Sequence, residues 1–269
     1  MSTTQGPTAR LLRAGVWYGY VLLVAVFLMI PLFTLVIASF YDGRFLSIVD
    51  YAFTLHWYEV ALSSDSITSA LVNTATIAIP VTVLSTIIGT GGAIAYTRYE
   101  FPYQEQFKLI ALLPVFFPLL LLGLGMSLWT NVTNLGYGIV PSIVGELVWI
   151  SPIVMFVVSI TALGVDPDVE EAARDLGAST LTLYKEVILP LIADGIVSGA
   201  IFAFVLAWNN YYIVSYLSGA ESTITTWIHA KMTQGFTPTV PAVSSLIFYL
   251  SLLLIVAVAV FEYRQPHRE

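Results

Sequence analysis

Along this chain, long apolar runs alternate with short polar stretches. The runs fall at residues 16–40, 68–97, 107–129, 138–163, 187–218 and 241–262. A helix needs about 20 predominantly apolar residues to cross a bilayer, and each run is long enough. The bilayer offers backbone groups no water, so each run is predicted to be helical. The pattern therefore predicts an all-α polytopic membrane protein with six transmembrane helices. A tail at 1–15 precedes a transmembrane domain at 16–262, and a tail at 263–269 follows it. Pro114 and Pro118 are expected to kink the third span, because proline cannot donate within a helix. Polar residues around Trp208 interrupt the fifth run.

Composition agrees with the pattern. Of 269 residues, 58% are hydrophobic and 10% charged, against about a quarter charged in soluble domains. Mean hydropathy is +0.86. Arg10 and Arg13 precede the first run, as in a signal peptide, but the run is too long for one. It is expected to be a retained span. The net charge of -7 argues against nucleic-acid binding, which needs a basic face.

The absence of cysteine excludes disulfides and thiolate–metal sites. His56, His229 and His267 are scattered, so no metal is expected. No glycine-rich loop ending in Lys-Ser or Lys-Thr is present to cradle ATP phosphates. No nucleophile–base pair stands out. Neither a cofactor nor an enzymatic activity is expected.

Lys and Arg distribution sets orientation. With a cytoplasmic N-terminus, the inner segments hold Arg10, Arg13, Arg98, Lys108, Arg174, Lys185, Arg264 and Arg268. The outer loops hold only Arg44 and Lys231. This bias places both termini, and the loop at 164–186, on the cytoplasmic side of the cell membrane.

That inner loop carries the most specific signal. Asp166 is placed to cap a helix opening at Pro167, where a missing donor costs nothing. Asp168, Glu170 and Glu171 follow in its positive first turns. Val169, Ala172, Ala173 and Leu176 have the spacing to share one shallow face. Gly177 suits a left-handed position after the helix, and Ser179 suits the cap of the next.

Residues 170–190 read EEAARDLGASTLTLYKEVILP: Glu-Ala-Ala, three residues, Gly, nine residues, an aliphatic, any residue, Leu-Pro. Glu171, Ala172, Ala173, Gly177, Val187, Leu189 and Pro190 hold these positions, with Val187 where isoleucine is usual. The segment resembles the EAA loop of the permease subunits of binding-protein-dependent ATP-binding-cassette (ABC) importers. The resemblance implies the type I importer (MetI-like) fold. It also implies ATPase coupling at Glu171, Ala172, Ala173, Gly177, Leu189 and Pro190. The partners implied are a second, different permease, two ATPase subunits, and an extracytoplasmic solute-binding protein.

The tail is similar to the spermidine/putrescine-type branch. Trp208-Asn209-Asn210-Tyr211-Tyr212, Ser218-Gly219-Ala220 and Trp227-Ile228-His229 precede Gly235-Phe236-Thr237-Pro238 and a last span opening at Pro241-Ala242-Val243. This implies import of a small polar solute such as a polyamine. Polyamine permeases of that branch carry an acidic pair where this chain has Asn209 and Asn210.

Polar residues inside spans mark pathways or helix contacts. Glu146, Trp208, Asn209 and Asn210 are the translocation-pathway candidates. For Glu146 the alternative is a neutralised or interfacial carboxyl. For the asparagines it is an interhelical bond, and for Tyr211 and Tyr212 an interfacial belt. Gly195 and Gly199, extended by Ala203, and the pairs Gly89/Ala93 and Gly91/Ala95, have close-packing spacing. An ion-coupled secondary transporter is the alternative function. It would need coupling-ion residues in broken helices or inverted repeats, and only Glu146 speaks for it.

Overall fold

The computed structural model describes residues 7–43, 52–235, 237–249 and 253. In chain order the helices are α1 (Pro7–Ser39), α2 (His56–Ser63), α3 (Asp65–Arg98), α4 (Gln104–Phe116), α5 (Leu119–Val132), α6 (Ile139–Leu163) and α7 (Pro167–Asp175). A short α8 (Thr180–Thr182), a π-helical turn (Leu183–Ile188) and α9 (Leu189–Leu191) lead into α10 (Ala193–Asn209). Then come α11 (Tyr212–Leu217), α12 (Ile224–Gln234) and α13 (Thr239–Tyr249).

Gly15–Ser39, Asp65–Arg98 and Ile139–Leu163 are each long and apolar enough to cross a membrane. They fall at the first, second and fourth apolar runs. The third and fifth differ from expectation, because each is broken.

The third span divides into α4 and α5, bent by 103°. Pro118 pushes Phe117 into an extended conformation (φ −82, ψ 138), so the helix stops and restarts rather than kinking. The fifth bends by 69° at Ile192, just past Pro190. It stops again at Asn210, which is extended (φ −73, ψ 117). The sixth expected span, 241–262, is helical through Tyr249, and most of its remainder lies outside the described residues.

Two compact units make up the fold. One comprises the chain ends, through Ser64 and from Ala230. Its α1 exposes apolar side chains nearly all round from Val16 to Phe33, a surface suited to lipid or another membrane helix. Beyond α1, an antiparallel bridge joins Tyr41 and Phe53. The Trp57 indole donates to the Tyr41 carbonyl at 3.0 Å, and Phe40 stacks on Phe53 at 5.2 Å. These contacts tie the end of α1 to the segment that leads into α2.

The other unit, Asp65–His229, is centred on α6, with α3 and α10 packed against it. Glycines set the approach. A Cβ on Gly89 of α3 would lie 2.7 Å from Val154 and 2.8 Å from the Met155 amide nitrogen. A Cβ on Gly199 of α10 would lie 3.0 Å from the same Val154. The small-residue pairs Gly89/Ala93 and Gly195/Gly199 therefore serve contacts inside this subunit. Gly91 is exposed, with open space about it.

Three of the buried hydroxyls bond back to their own helix. Thr74 donates to Ala70, Ser85 to Val81, and Ser159 to Met155, at 2.6–2.7 Å. Each hydroxyl proton is thereby satisfied within its own helix, and the Thr74 oxygen also accepts from the Ile224 amide at 2.8 Å. The short α11 wedges between α5 and α6. A Cβ on Gly123 would meet the Tyr212 carbonyl at 2.9 Å, and one on Gly145 would collide with Leu217.

Candidate functional site

The loop after α6 folds as its residues dictate. The Asp166 carboxylate accepts from the Asp168 amide at 3.1 Å, and Pro167 opens α7. At the other end, Gly177 has φ +85, donating its amide to the Arg174 carbonyl at 2.9 Å. The Ala178 amide donates to the Ala173 carbonyl at 3.0 Å. This pair of bonds is a Schellman cap, which a left-handed residue must close. Ser179 then caps the next helix, accepting from the Thr182 amide at 3.2 Å.

The shared face of α7 divides. Val169, Ala172 and Leu176 point outward, with Leu176 90% exposed, whereas Ala173 packs on the buried core. Glu171 is exposed, and its neighbour Glu170 is turned inward. Gly177 has nothing within 4 Å of its Cβ position. Leu189 and Pro190 are exposed, while Leu183 and Ile188 are fully buried and anchor the π-helical turn. Val187 is partly buried against the same core.

Arg98, the last residue of α3, reaches this assembly. Its Nε lies 2.8 Å from Glu170 Oε1 as an ion pair, although not aligned as a hydrogen bond. One terminal nitrogen donates to the Ala162 carbonyl at 2.9 Å, and the other to Val165 at 3.5 Å. Both side chains are largely shielded, at 8% and 15% exposure. Tyr184, in the π-helical turn, donates to the Tyr99 hydroxyl at 2.9 Å. Beside the pair lies an open cleft of about 440 Å³, lined by Arg98, Glu100, Gln104, Pro167 and Glu170 among others. Sequence reasoning counted Arg98 only as an inner charge. Its position at the end of an apolar helix, one short loop from α4, was the available signal.

The intramembrane candidates do not form one cluster. Asn209 and Asn210 line a mainly apolar cleft of about 250 Å³ with Leu119, Trp149, Tyr211 and Tyr212. Asn209 is exposed, and its amide donates to the Val205 carbonyl at 2.8 Å. Asn210 is buried. Its Oδ1 accepts from the Ile213 amide at 3.1 Å, and its Nδ2 has no partner.

Trp208 does not line the cleft. It packs beside Phe204 at 5.4 Å and against the core. Glu146 lies one helical turn before Trp149, is fully buried, and has no partner for either carboxylate oxygen. Tyr211 stacks on His229 at 4.3 Å, with its hydroxyl 3.0 Å from Nδ1. Among the described residues no group of acidic and histidine side chains could hold a metal.

Residues 87–268 match the family described as "Binding-protein-dependent transport system inner membrane component". The chain belongs to this family.

The match takes in Arg98 and the end of its helix, the capped loop and both asparagines. The permease is 27% identical over 249 residues to the spermidine/putrescine transport system permease protein PotC of Haemophilus influenzae, covering 92% of this chain and 96% of that protein. To the putrescine transport system permease protein PotI of Escherichia coli it is 29% identical over 230 residues, covering 82% and 81%. To the trehalose transport system permease protein SugB of Mycobacterium tuberculosis it is 28% identical, covering 68% and 66%.

Its fold is similar to that of a bacterial ABC transporter that imports the acidic polysaccharide alginate. The TM-score is 0.69 at 18% identity, covering 98% of this chain and 100% of that one. An alginate transporter in complex with a pentasaccharide-bound periplasmic protein gives a TM-score of 0.68 at 15% identity, covering 95% and 96%.

This chain is thus a multi-pass inner-membrane permease subunit of an ABC importer. The ion-coupled secondary transporter loses its support with this assignment.

Proposed function

We propose that the permease couples a separate ATPase to solute movement through α7 and the turn after it. The observation that carries this reading is the outward apolar face of Val169, Ala172 and Leu176 on a helix capped rigidly at both ends. A water-exposed leucine on a short polar helix fits a protein socket. Glu171 and Gly177 lie at the rim and end of this knob, and Leu189 and Pro190 lead from it into α10.

Both termini lie in the cytoplasm, with α7, in keeping with the distribution of Lys and Arg. A second, different permease completes the pore. Two ATPase subunits dock below it, and an extracytoplasmic binding protein delivers solute above. ATP-driven closure of the ATPases moves the two coupling loops and switches the pore between inward-open and outward-open states.

Copurification tests the docking. Glu171→Ala or Gly177→Asp should release the ATPase and abolish transport, and a variant that keeps both would refute the reading.

The solute is a small polar molecule. Two relatives are named for spermidine and putrescine, which favours a polyamine. The cleft of amides and aromatic rings at Asn209, Asn210, Trp149 and Tyr211 favours a neutral solute as the second reading. Calorimetry of the cognate binding protein separates them: tight binding of spermidine or putrescine supports the first, and tight binding of a neutral solute the second.

A further inference from the structure

Arg98 occupies a junction that docking alone does not require. It ends α3, its guanidinium donates to the Ala162 carbonyl in the last turn of α6 and to Val165 just beyond it, and it faces Glu170 on α7. Three elements converge on one side chain. The α6 carbonyls form the negative end of a helix dipole, where a cation is favoured. Glu170 faces the core side of α7, opposite the exposed face offered to the ATPase.

The planar guanidinium spreads several donors over fixed directions, so one residue holds a carboxylate and two carbonyls at once. Shielding from water strengthens the pair and raises the cost of leaving either charge alone. Beside the pair, Ala173 packs on the core, and α7 also touches the π-helical turn that follows it. Apolar packing is non-directional, whereas an ion pair backed by two hydrogen bonds resists both shear and separation.

We propose that Arg98 is a positioning residue, a latch that makes α7 move as one body with α3 and α6. A force delivered to Leu176 and Ala172 then reaches the helices that line the core, instead of tilting α7 alone. This rests on the reading that α7 docks the ATPase. It adds that docking and transmission are separable, and that Arg98 and Glu170 serve transmission.

The test uses the complete importer in proteoliposomes, with Arg98→Gln, Glu170→Gln and the double variant. Two quantities are read: the ATPase retained on purification, and solute transported per ATP hydrolysed. Retained ATPase with transport per ATP lowered about threefold to tenfold is expected, a typical range for a coupling residue. The double variant should be no worse than Arg98→Gln, since the contact with Glu170 is already lost there. Arg98→Lys, which keeps charge but not geometry, should fall between wild type and Arg98→Gln.

Transport per ATP within twofold of wild type in both single variants would overturn the proposal. Loss of the ATPase from both would overturn it too, because the pair would then set docking. If Arg98→Gln fails to assemble, the isosteric Glu170→Gln decides alone. The docking reading fails separately, if Glu171→Ala and Gly177→Asp keep the ATPase.

Discussion

Gly195 of α10 lies so close to Thr161 of α6 that a Cβ on the glycine would sit 2.5 Å from the threonine hydroxyl. The threonine side chain can turn aside. At Gly89 the obstacle includes the Met155 backbone amide at 2.8 Å, which cannot. Gly89→Ala should therefore destabilise by about 1–3 kcal/mol through overpacking, and Gly195→Ala by less. Gly91→Ala, in open space, should leave stability unchanged. Thermal unfolding in detergent checks the order of the three.

Gly177→Ala should strain the loop by about 1–2 kcal/mol, because φ +85 opposes any Cβ. Nothing crowds that position, so the effect is conformational. ATPase retention should fall while the melting temperature of the transmembrane core holds. Equal loss of both would mean that the turn serves folding instead.

The loop's caps were legible because capping is local. Asp166, Gly177 and Ser179 each need only neighbours within three or four residues. Helix positions were legible for the same reason, through runs of apolar residues. The 103° break at Phe117–Pro118 was underestimated. Proline marks where a helix yields, but its surroundings decide by how much. The inward turn of Glu170 and Ala173 was also hidden, since four residues at helical spacing subtend a wide arc and only packing divides it. The position of Arg98 at a helix end was visible, but its partners were out of reach, because they lie 64 and more residues away.

Glu146 should behave as a functional burden. Both its oxygens are buried without partners, a cost of about 1–3 kcal/mol for such a group. Glu146→Met should raise the melting temperature and lower transport, the exchange expected of a retained pathway residue. A stabilised variant that transports normally would remove it from the pathway.

Asn210 caps α11 through its Oδ1, so Asn210→Ala should cost about 1 kcal/mol. Asn210→Asp keeps the acceptor and should keep the fold. If this amide faces the solute, Asn210→Asp should shift uptake toward cations, as competition assays with putrescine would reveal. An unchanged preference would assign Asn210 to the cap alone.

The most direct test of the coupling account is a single cysteine at Leu176, available because the chain has none of its own. With a short thiol crosslinker, Leu176→Cys should join the ATPase subunit in the assembled importer, at a yield that changes between nucleotide-free and ATP-bound states. Val132→Cys, 82% exposed at the end of α5, should not. Absence of an ATPase product at Leu176, or an equal one at Val132, would contradict the account.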